Sequence, residues 1–249
     1  MNRKFDVVVI GAGPAGYVAA IRATQLGLST ACIDAWITPD GKSVFGGTCL
    51  NAGCIPSKAL LESSELYHRA AEEFTTHGIL ISDLKLDLDT MQARKDRIVR
   101  ELSGGIGSLF KANGVTGLFG RGRLLPDLKV QYTPHDGEAE LLEADHVILA
   151  TGSVPVEIGA APYDGECVVD SSGALSFDTV PKRLGVSAPV SSGWNWAASG
   201  NAWVRKSRSW KLWTSSCLWL TDRLPVKLSV NSNNRDSIFV SVQRYGKPS

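Results

Sequence analysis

The residues with the most chemistry in them are two cysteines separated by four residues, in Gly46-Gly47-Thr48-Cys49-Leu50-Asn51-Ala52-Gly53-Cys54-Ile55-Pro56-Ser57-Lys58. Pro56 suits the first turn of a helix, where its missing N–H is no loss. The spacing therefore predicts Cys54 near a helix N-terminus. The positive end of the helix dipole, and Lys58 one turn on, would both favour a thiolate there. Gly53 and the loop before it can bring Cys49 within the Cα separation of about 4.4–6.8 Å that a disulfide needs. A zinc centre is the rival: it wants four ligands, usually from paired Cys-x-x-Cys or Cys/His spacings. Here there is a single close pair and no histidine near it in sequence. Two unrelated buried cysteines would not call for the flanking Gly-Gly-Thr and Pro-Ser-Lys. A redox-active disulfide at Cys49 and Cys54 is the favoured reading, and no metal is expected.

The second motif is Gly11-Ala12-Gly13-Pro14-Ala15-Gly16, a Gly-x-Gly-x-x-Gly between an apolar run and a helical one. The first glycine permits a tight turn, the second lets backbone approach a pyrophosphate, and the third lets helix and strand pack closely. A helix N-terminus offers unpaired N–H groups and a positive dipole end to phosphate. Asp34 follows Gly16 by 18 residues and closes the next apolar run, which suits a carboxylate accepting from a ribose diol. The motif by itself does not separate FAD from NAD.

These residues need elements to hold them. Phe5–Ile10 reads as a buried parallel strand, Tyr17–Leu26 as a helix closed by Gly27, and Leu28–Asp34 as a second strand. Residues 36–48 read as a polar loop. Cys54 to about His77 reads as a helix broken near Gly78. Asp89–Asn113 reads as a second long helix with a possible kink at Ser103-Gly104-Gly105. Residues 115–149 read as short strands with turns, such as Pro134-His135-Asp136-Gly137, and Asp145–Ala150 as a further apolar strand. The expected fold class is α/β: a Rossmann-like nucleotide-binding domain with a parallel sheet and helices, an inserted helical segment and a small antiparallel β segment.

The string GGTCLNAGCIPSKALL resembles the active-site signature of the flavin-dependent pyridine nucleotide–disulfide oxidoreductases, the dihydrolipoamide dehydrogenase type in particular. The opening DVVVIGAGPAGYVAAIRATQLG, a turn at Phe119-Gly120-Arg121-Gly122 and VILATGSVP at 147–155 resemble the same family, so the likeness runs from residue 5 to about 186. It implies FAD as cofactor, with NAD+ bound by a later domain in full-length members. Gly11, Gly13, Pro14, Ala15, Gly16 and Asp34 would hold the ADP moiety. Gly47, Thr48, Cys49, Cys54 and Lys58 would lie along the flavin. Gly122 would meet the adenine end, and Ala150, Thr151 and Gly152 would line the cofactor. Cys54 would be the thiolate against the isoalloxazine, Cys49 the sulfur that exchanges with substrate, and Lys58 a catalytic-site neighbour. The implied reaction oxidises dihydrolipoyl groups of 2-oxo acid dehydrogenase or glycine cleavage complexes and reduces NAD+. The implied partners are lipoyl domains and a second copy of the chain. Related enzymes differ at these motifs. Glutathione reductases usually vary the Pro-Ser-Lys, mercuric reductases add a C-terminal cysteine pair, and soluble transhydrogenases lack the first cysteine.

Composition divides the 249 residues in two. Residues 1–186 carry 17 Lys+Arg against 23 Asp+Glu, and residues 187–249 carry 9 against 2, with six of the seven tryptophans and no histidine. The first segment is expected to be the FAD and redox-disulfide domain, and the second a non-homologous, ill-folded tail. Pro181-Lys182-Arg183-Leu184-Gly185-Val186 resembles the lead-in to the family's NAD domain, whereas SAPVSSGWNWAASG after it does not. Regrouping the possible codons from Ser187 by one base permits IGAGVIGLELG and then LGAEVTVLEA, a second fingerprint. A frameshift near residue 186 is therefore expected, leaving a truncated, inactive remnant as the alternative function. Read at face value, the basic, Trp-rich stretch 203–213 would suggest nucleic acid or an anionic membrane; out-of-frame origin makes both unnecessary. No 18-residue apolar run suggests a membrane span, and no secretory signal is evident. Cytoplasmic residence is expected. Five cysteines in a chain this long are not a secreted disulfide framework.

Overall fold

The structure is a computed structural model that describes residues 3–155, 157, 161–181, 183–187 and 237–241. It divides into two compact units, 1–56 with 96–154 and 57–95 with 155–249.

The first unit is built on β1 (Arg3–Ile10), α1 (Pro14–Gln25) and β2 (Thr30–Asp34). The last four residues of β1 and all of β2 are buried, as expected of parallel strands covered on both faces. Helix α1 begins at Pro14, earlier than Tyr17, because proline is suited to the first helical position. After Gln25 the chain turns at Gly27, with φ +86, and β2 starts two residues later than the apolar pattern suggests.

Residues 115–149 do not form a separate antiparallel segment. β3 (Thr116–Leu124), β4 (Lys129–Pro134) and β5 (Glu140–Leu149) join β1 and β2 in one closed five-stranded sheet. Two long strands change partner midway. β3 pairs parallel with β2 through Phe119, then antiparallel with β4 from Gly120. β5 pairs antiparallel with β4 through its first residues and parallel with β1 from Leu142 to Leu149. Phe119-Gly120-Arg121-Gly122 is therefore not a turn but the changeover inside β3. Gly120 has φ +150, and a Cβ there would strike the Thr133 carbonyl, so only glycine fits the changeover.

Strand alternation sorts the apolar residues onto two faces. Val8, Ile10, Ala31, Ile33, Leu118, Val130, Tyr132 and Leu142 fill the space enclosed by the strands. Val7, Val9 and Cys32 point the other way, onto Ala20 and Ala23 of α1 and onto Phe45, Leu50, Ile106 and Phe110. Fully burying each of the larger aliphatic side chains is worth about 1.5–3 kcal/mol.

Two helices carry the chain between the units: α3 (Cys54–Glu72) and α4 (Leu88–Asn113), with a 3-10 turn at Phe74–His77 ended by Gly78. α4 runs unbroken through Ser103-Gly104-Gly105. A helix only six residues long, α2 (Gly47–Ala52), forms where the pattern suggested loop. In the second unit, Leu60, Met91 and Leu175 form a small core. There β6 (Val168–Val169), α5 (Ser171–Ala174), β7 (Arg183–Ser187) and β8 (Ser237–Ser241) follow, the strands in parallel order β6-β8-β7. β8 is an exception to the expectation of an unstructured tail: Ile238-Phe239-Val240 is a short apolar run of strand-forming residues. Residues 188–236 and 242–249, and the charge and tryptophan content assigned to them, lie outside the described residues. Among the described residues no helix is long and apolar enough to cross a membrane.

Candidate functional site: a glycine cradle beside two cysteines

Four segments of the first unit meet at the C-terminal ends of β1, β2 and β5. The backbone stitches them together. Gly11 N–H donates to Ile33 O at 2.7 Å, Ala150 N–H to Ile10 O at 2.8 Å and Gly46 N–H to Ala12 O at 2.9 Å. Two of the three fingerprint glycines, Gly11 and Gly16, are required by a close approach. Gly11 has φ +102, and a Cβ on it would overlap the Ala150 carbonyl. A Cβ on Gly16 would overlap the Gly11 carbonyl, and one on Gly47, at φ +58, would lie 2.7 Å from the Cα of Gly13. Gly13 has only Gly47 Cα near its missing Cβ, at 3.9 Å.

The cradle is open on one side. Gly16 and Asp34 are buried, whereas Pro14, Ala15, Thr151 and Gly152 are exposed around them. α1 is N-capped by Gly13 with no side-chain cap, and no acidic residue lies in its first turn. The positive end of the helix is thus left for an anion from outside. A cofactor pyrophosphate fits this arrangement: glycine at every point where a Cβ would intrude, and helix N–H groups that no side chain of the helix satisfies.

Asp34 has a role that the spacing alone did not reveal. Its carboxylate accepts from Ala12 N–H at 2.9 Å and from Trp36 N–H at 3.0 Å. It therefore braces the glycine turn from β2. A carboxylate has about four lone-pair sites, so capacity for a ribose hydroxyl remains. Burial raises its pKa, and backbone N–H groups of Trp36, Ala12 and Ala35 pull against that rise. Below it, Cys32 is fully buried and its thiol is pushed up to about 12, first by burial and then by the Asp34 charge. That fits a core residue and not a reactive thiol.

The cysteine segment is attached to the cradle through Gly47. Cys49 lies on α2 and is half-buried, while Cys54 is the first residue of α3 and exposed. The helix start at Cys54 agrees with the position of Pro56, which is buried in its first turn. Gly53 folds the chain back between them: a Cβ there would lie 2.9 Å from Thr48 O and 3.4 Å from Cys49 Cα. The Thr48 hydroxyl donates to Ser153 O at 3.4 Å, tying this segment to the turn after β5. Lys58 is exposed one turn along α3, on the part of that helix that belongs to the second unit.

The missing Cβ of Gly122 faces the side chains of Ile10 and Ile33, each at 3.1 Å, so its glycine is accounted for by packing in the strand-enclosed core. Residues that the motifs did not single out are Ala12, Gly46, Asn51 and Ser103. The Gly46-Gly47 doublet was the one local signal, since Gly46 has φ +115.

An α/β unit with a glycine cradle for a dinucleotide, carrying a Cys-x4-Cys segment on its edge, defines a class: nucleotide-dependent oxidoreductases that work through paired thiols. The chain belongs to the pyridine nucleotide-disulphide oxidoreductase family, whose model matches residues 5–187. It is 44% identical over 200 residues to dihydrolipoyl dehydrogenase 1, mitochondrial, of Arabidopsis thaliana, covering 80% of this chain and 38% of that one. It is 46% identical over 188 residues to dihydrolipoyl dehydrogenase of Cupriavidus necator, covering 75% and 40%. The crystal structure of LpdA from Mycobacterium tuberculosis superposes with a TM-score of 0.63 at 27% identity, over 74% of this chain and 39% of that one. The chain thus spans about two-fifths of the length of these curated relatives. The family is FAD-dependent and uses a nicotinamide dinucleotide as its second redox partner.

Proposed function

We propose that residues 1–186 are the FAD-binding, redox-disulfide part of a dihydrolipoyl dehydrogenase, in a Rossmann-like domain, and that Cys49 and Cys54 are its exchanging sulfurs. One observation carries this: Gly47 packs on Gly13 so closely that the cysteine segment is continuous with the nucleotide cradle. Gly11, Gly13, Pro14, Ala15 and Gly16 would hold the pyrophosphate, Asp34 a ribose, and Thr48, Ala150, Thr151 and Gly152 the rim. Bound FAD would supply two-electron chemistry linking the thiol pair to NAD+.

The substrate step balances on this chain's own sulfurs. A dihydrolipoyl thiolate attacks Cys49 of the Cys49–Cys54 disulfide, and Cys54 leaves as a thiolate. The second lipoyl thiol then displaces Cys49. The lipoyl group ends as a disulfide and the two cysteines as thiols, with two electrons and two protons transferred. The position of Cys54 at the start of α3 favours it as the leaving thiolate, because the helix dipole stabilises negative charge there. Lipoyl domains of 2-oxo acid dehydrogenase or glycine cleavage complexes are the partners that follow, with a homodimer as the assembly.

The second reading is that this 249-residue chain binds flavin without turnover. The family match ends at residue 187, and the relatives extend well beyond that span. Purification followed by visible absorbance and thiol titration tests the first claim. Bound flavin with an oxidisable Cys49/Cys54 pair supports it, and a colourless protein in the presence of added FAD overturns it. Lipoamide-dependent NAD+ reduction separates the two readings: turnover removes the second.

A further inference from the structure

Asn51 lies between the two cysteines, on α2, and its side chain is engaged on both sides. Its amide nitrogen donates to Gly47 O at 3.0 Å and to Phe45 O at 3.3 Å. Its amide oxygen accepts from the Ser103 hydroxyl at 2.8 Å, from a residue 52 positions away. With both N–H donors directed at carbonyls, the amide oxygen must face Ser103, and Ser103 must be the donor.

Ser103 departs from what serine does inside a helix, where its hydroxyl usually bonds a carbonyl one turn back. Ser108 in the same helix does this, bonding Gly104 O at 3.3 Å, and Ser63 in α3 bonds Ala59 O at 3.3 Å. Ser103 is only 4% exposed and reaches across to α2 instead. It shares a face of α4 with Ile106 and Phe110, which are 6% and 2% exposed and pack in the same core as Leu50 and Phe45. That apolar contact fixes the depth of α4 against the cysteine segment. The Ser103–Asn51 bond is the polar contact within it that fixes the rotation of α2.

We propose that Ser103 and Asn51 are a positioning pair for the thiols: they lock α2 so that Cys49 faces the start of α3, and so set the dithiol–disulfide equilibrium. This rests on the reading of Cys49 and Cys54 as a redox pair. Ser103 and Asn51 act through the backbone at Phe45, Gly47 and the turn that contains Cys49.

The test uses the whole chain equilibrated with oxidised and reduced glutathione at several ratios. Oxidation joins the two thiols in one S–S bond, and their two electrons and two protons cleave the glutathione disulfide to two thiols. Trapping by alkylation and mass spectrometry of the Cys49–Cys54 peptide gives the equilibrium constant. Ser103→Val removes the hydroxyl, and Ser103→Thr keeps it at nearly the same volume. The expected result is a shift of several-fold for Ser103→Val, with about tenfold as the ceiling that one buried hydrogen bond made in a single redox state would give, and Ser103→Thr close to wild type. Equal constants for Val and Thr in folded proteins overturn the inference. If Ser103→Val fails to fold, Asn51→Asp carries the test. A carboxylate facing two carbonyls must take up a proton to restore even one of the two bonds, so its equilibrium constant acquires a pH dependence beyond that of wild type, and an unchanged pH profile overturns the inference. A wild-type chain that never forms the Cys49–Cys54 bond overturns the functional reading itself.

Discussion

Two glycine-to-alanine substitutions in helices of the first unit should have opposite effects. In an ordinary helix interior, replacing glycine by alanine gains about 1 kcal/mol. Gly104 in α4 is exposed, and a Cβ built there meets nothing within 4 Å. Gly104→Ala should therefore realise most of that gain and raise Tm by about 2–4 °C for a chain of this size. Gly16 in α1 is buried, and its added Cβ would overlap the Gly11 carbonyl oxygen and come within 3.3 Å of the Ala150 Cβ. Overpacking costs about 1–3 kcal/mol, and the upper end applies because the obstacle is backbone that cannot swing away. Offset by the helix gain, Gly16→Ala should lose about 2 kcal/mol, lowering Tm by about 4–8 °C. Moving the Gly11 carbonyl also disturbs the cradle, so bound flavin should fall with it. Thermal melts followed by circular dichroism, with visible absorbance on the same samples, measure both effects. A Gly16→Ala protein that melts at or above wild type with full flavin would falsify the close-packed cradle.

Two further outcomes follow from the buried groups around it. After reduction of the Cys49–Cys54 pair, maleimide at mildly alkaline pH should modify those two cysteines in the native chain and spare Cys32, which is buried and whose thiol is pushed up to about 12, until denaturant is added. Peptide mass spectrometry reads this directly, and rapid native labelling of Cys32 would show that the α1–β2 core is open. Because burial raises the Asp34 pKa, the native state holds that proton more tightly than the unfolded chain. Its contribution to stability is present below the ordinary carboxylate pKa and is lost as pH rises through the higher native value. Asp34→Asn should abolish that slope in urea melts taken across the acidic range. It should also cost about 1–3 kcal/mol at neutral pH, since one of the Ala12 and Trp36 N–H groups loses its acceptor. An unchanged slope would mean that Asp34 is solvated.

The glycine fingerprint, the acid after it and the Cys-x4-Cys with its downstream proline were all legible in the chain, because each depends on local backbone requirements. A tight turn needs glycine at Gly11, and a helix start tolerates proline at Pro56 wherever it is placed. The α/β alternation of the first 34 residues was legible for the same reason: strand and helix periodicities are written in consecutive side chains. Closure of the sheet was not, since β3 and β5 each pair with one partner parallel and another antiparallel, and which partner lies on which side is a property of the assembled sheet. Gly120 and Gly122 illustrate the difference. In sequence they look like one turn. In the fold, Gly120 permits the changeover against the Thr133 carbonyl, whereas Gly122 makes room for Ile10 and Ile33. The Ser103–Asn51 bond, between residues 52 positions apart, likewise has no local signature, because a hydrogen bond across packed helices depends on the rotation of both. Sequence alone thus pointed to the residues proposed to carry the chemistry. The tertiary structure decided what holds them, because long-range packing and shared hydrogen bonds exist only once distant segments occupy the same few ångströms.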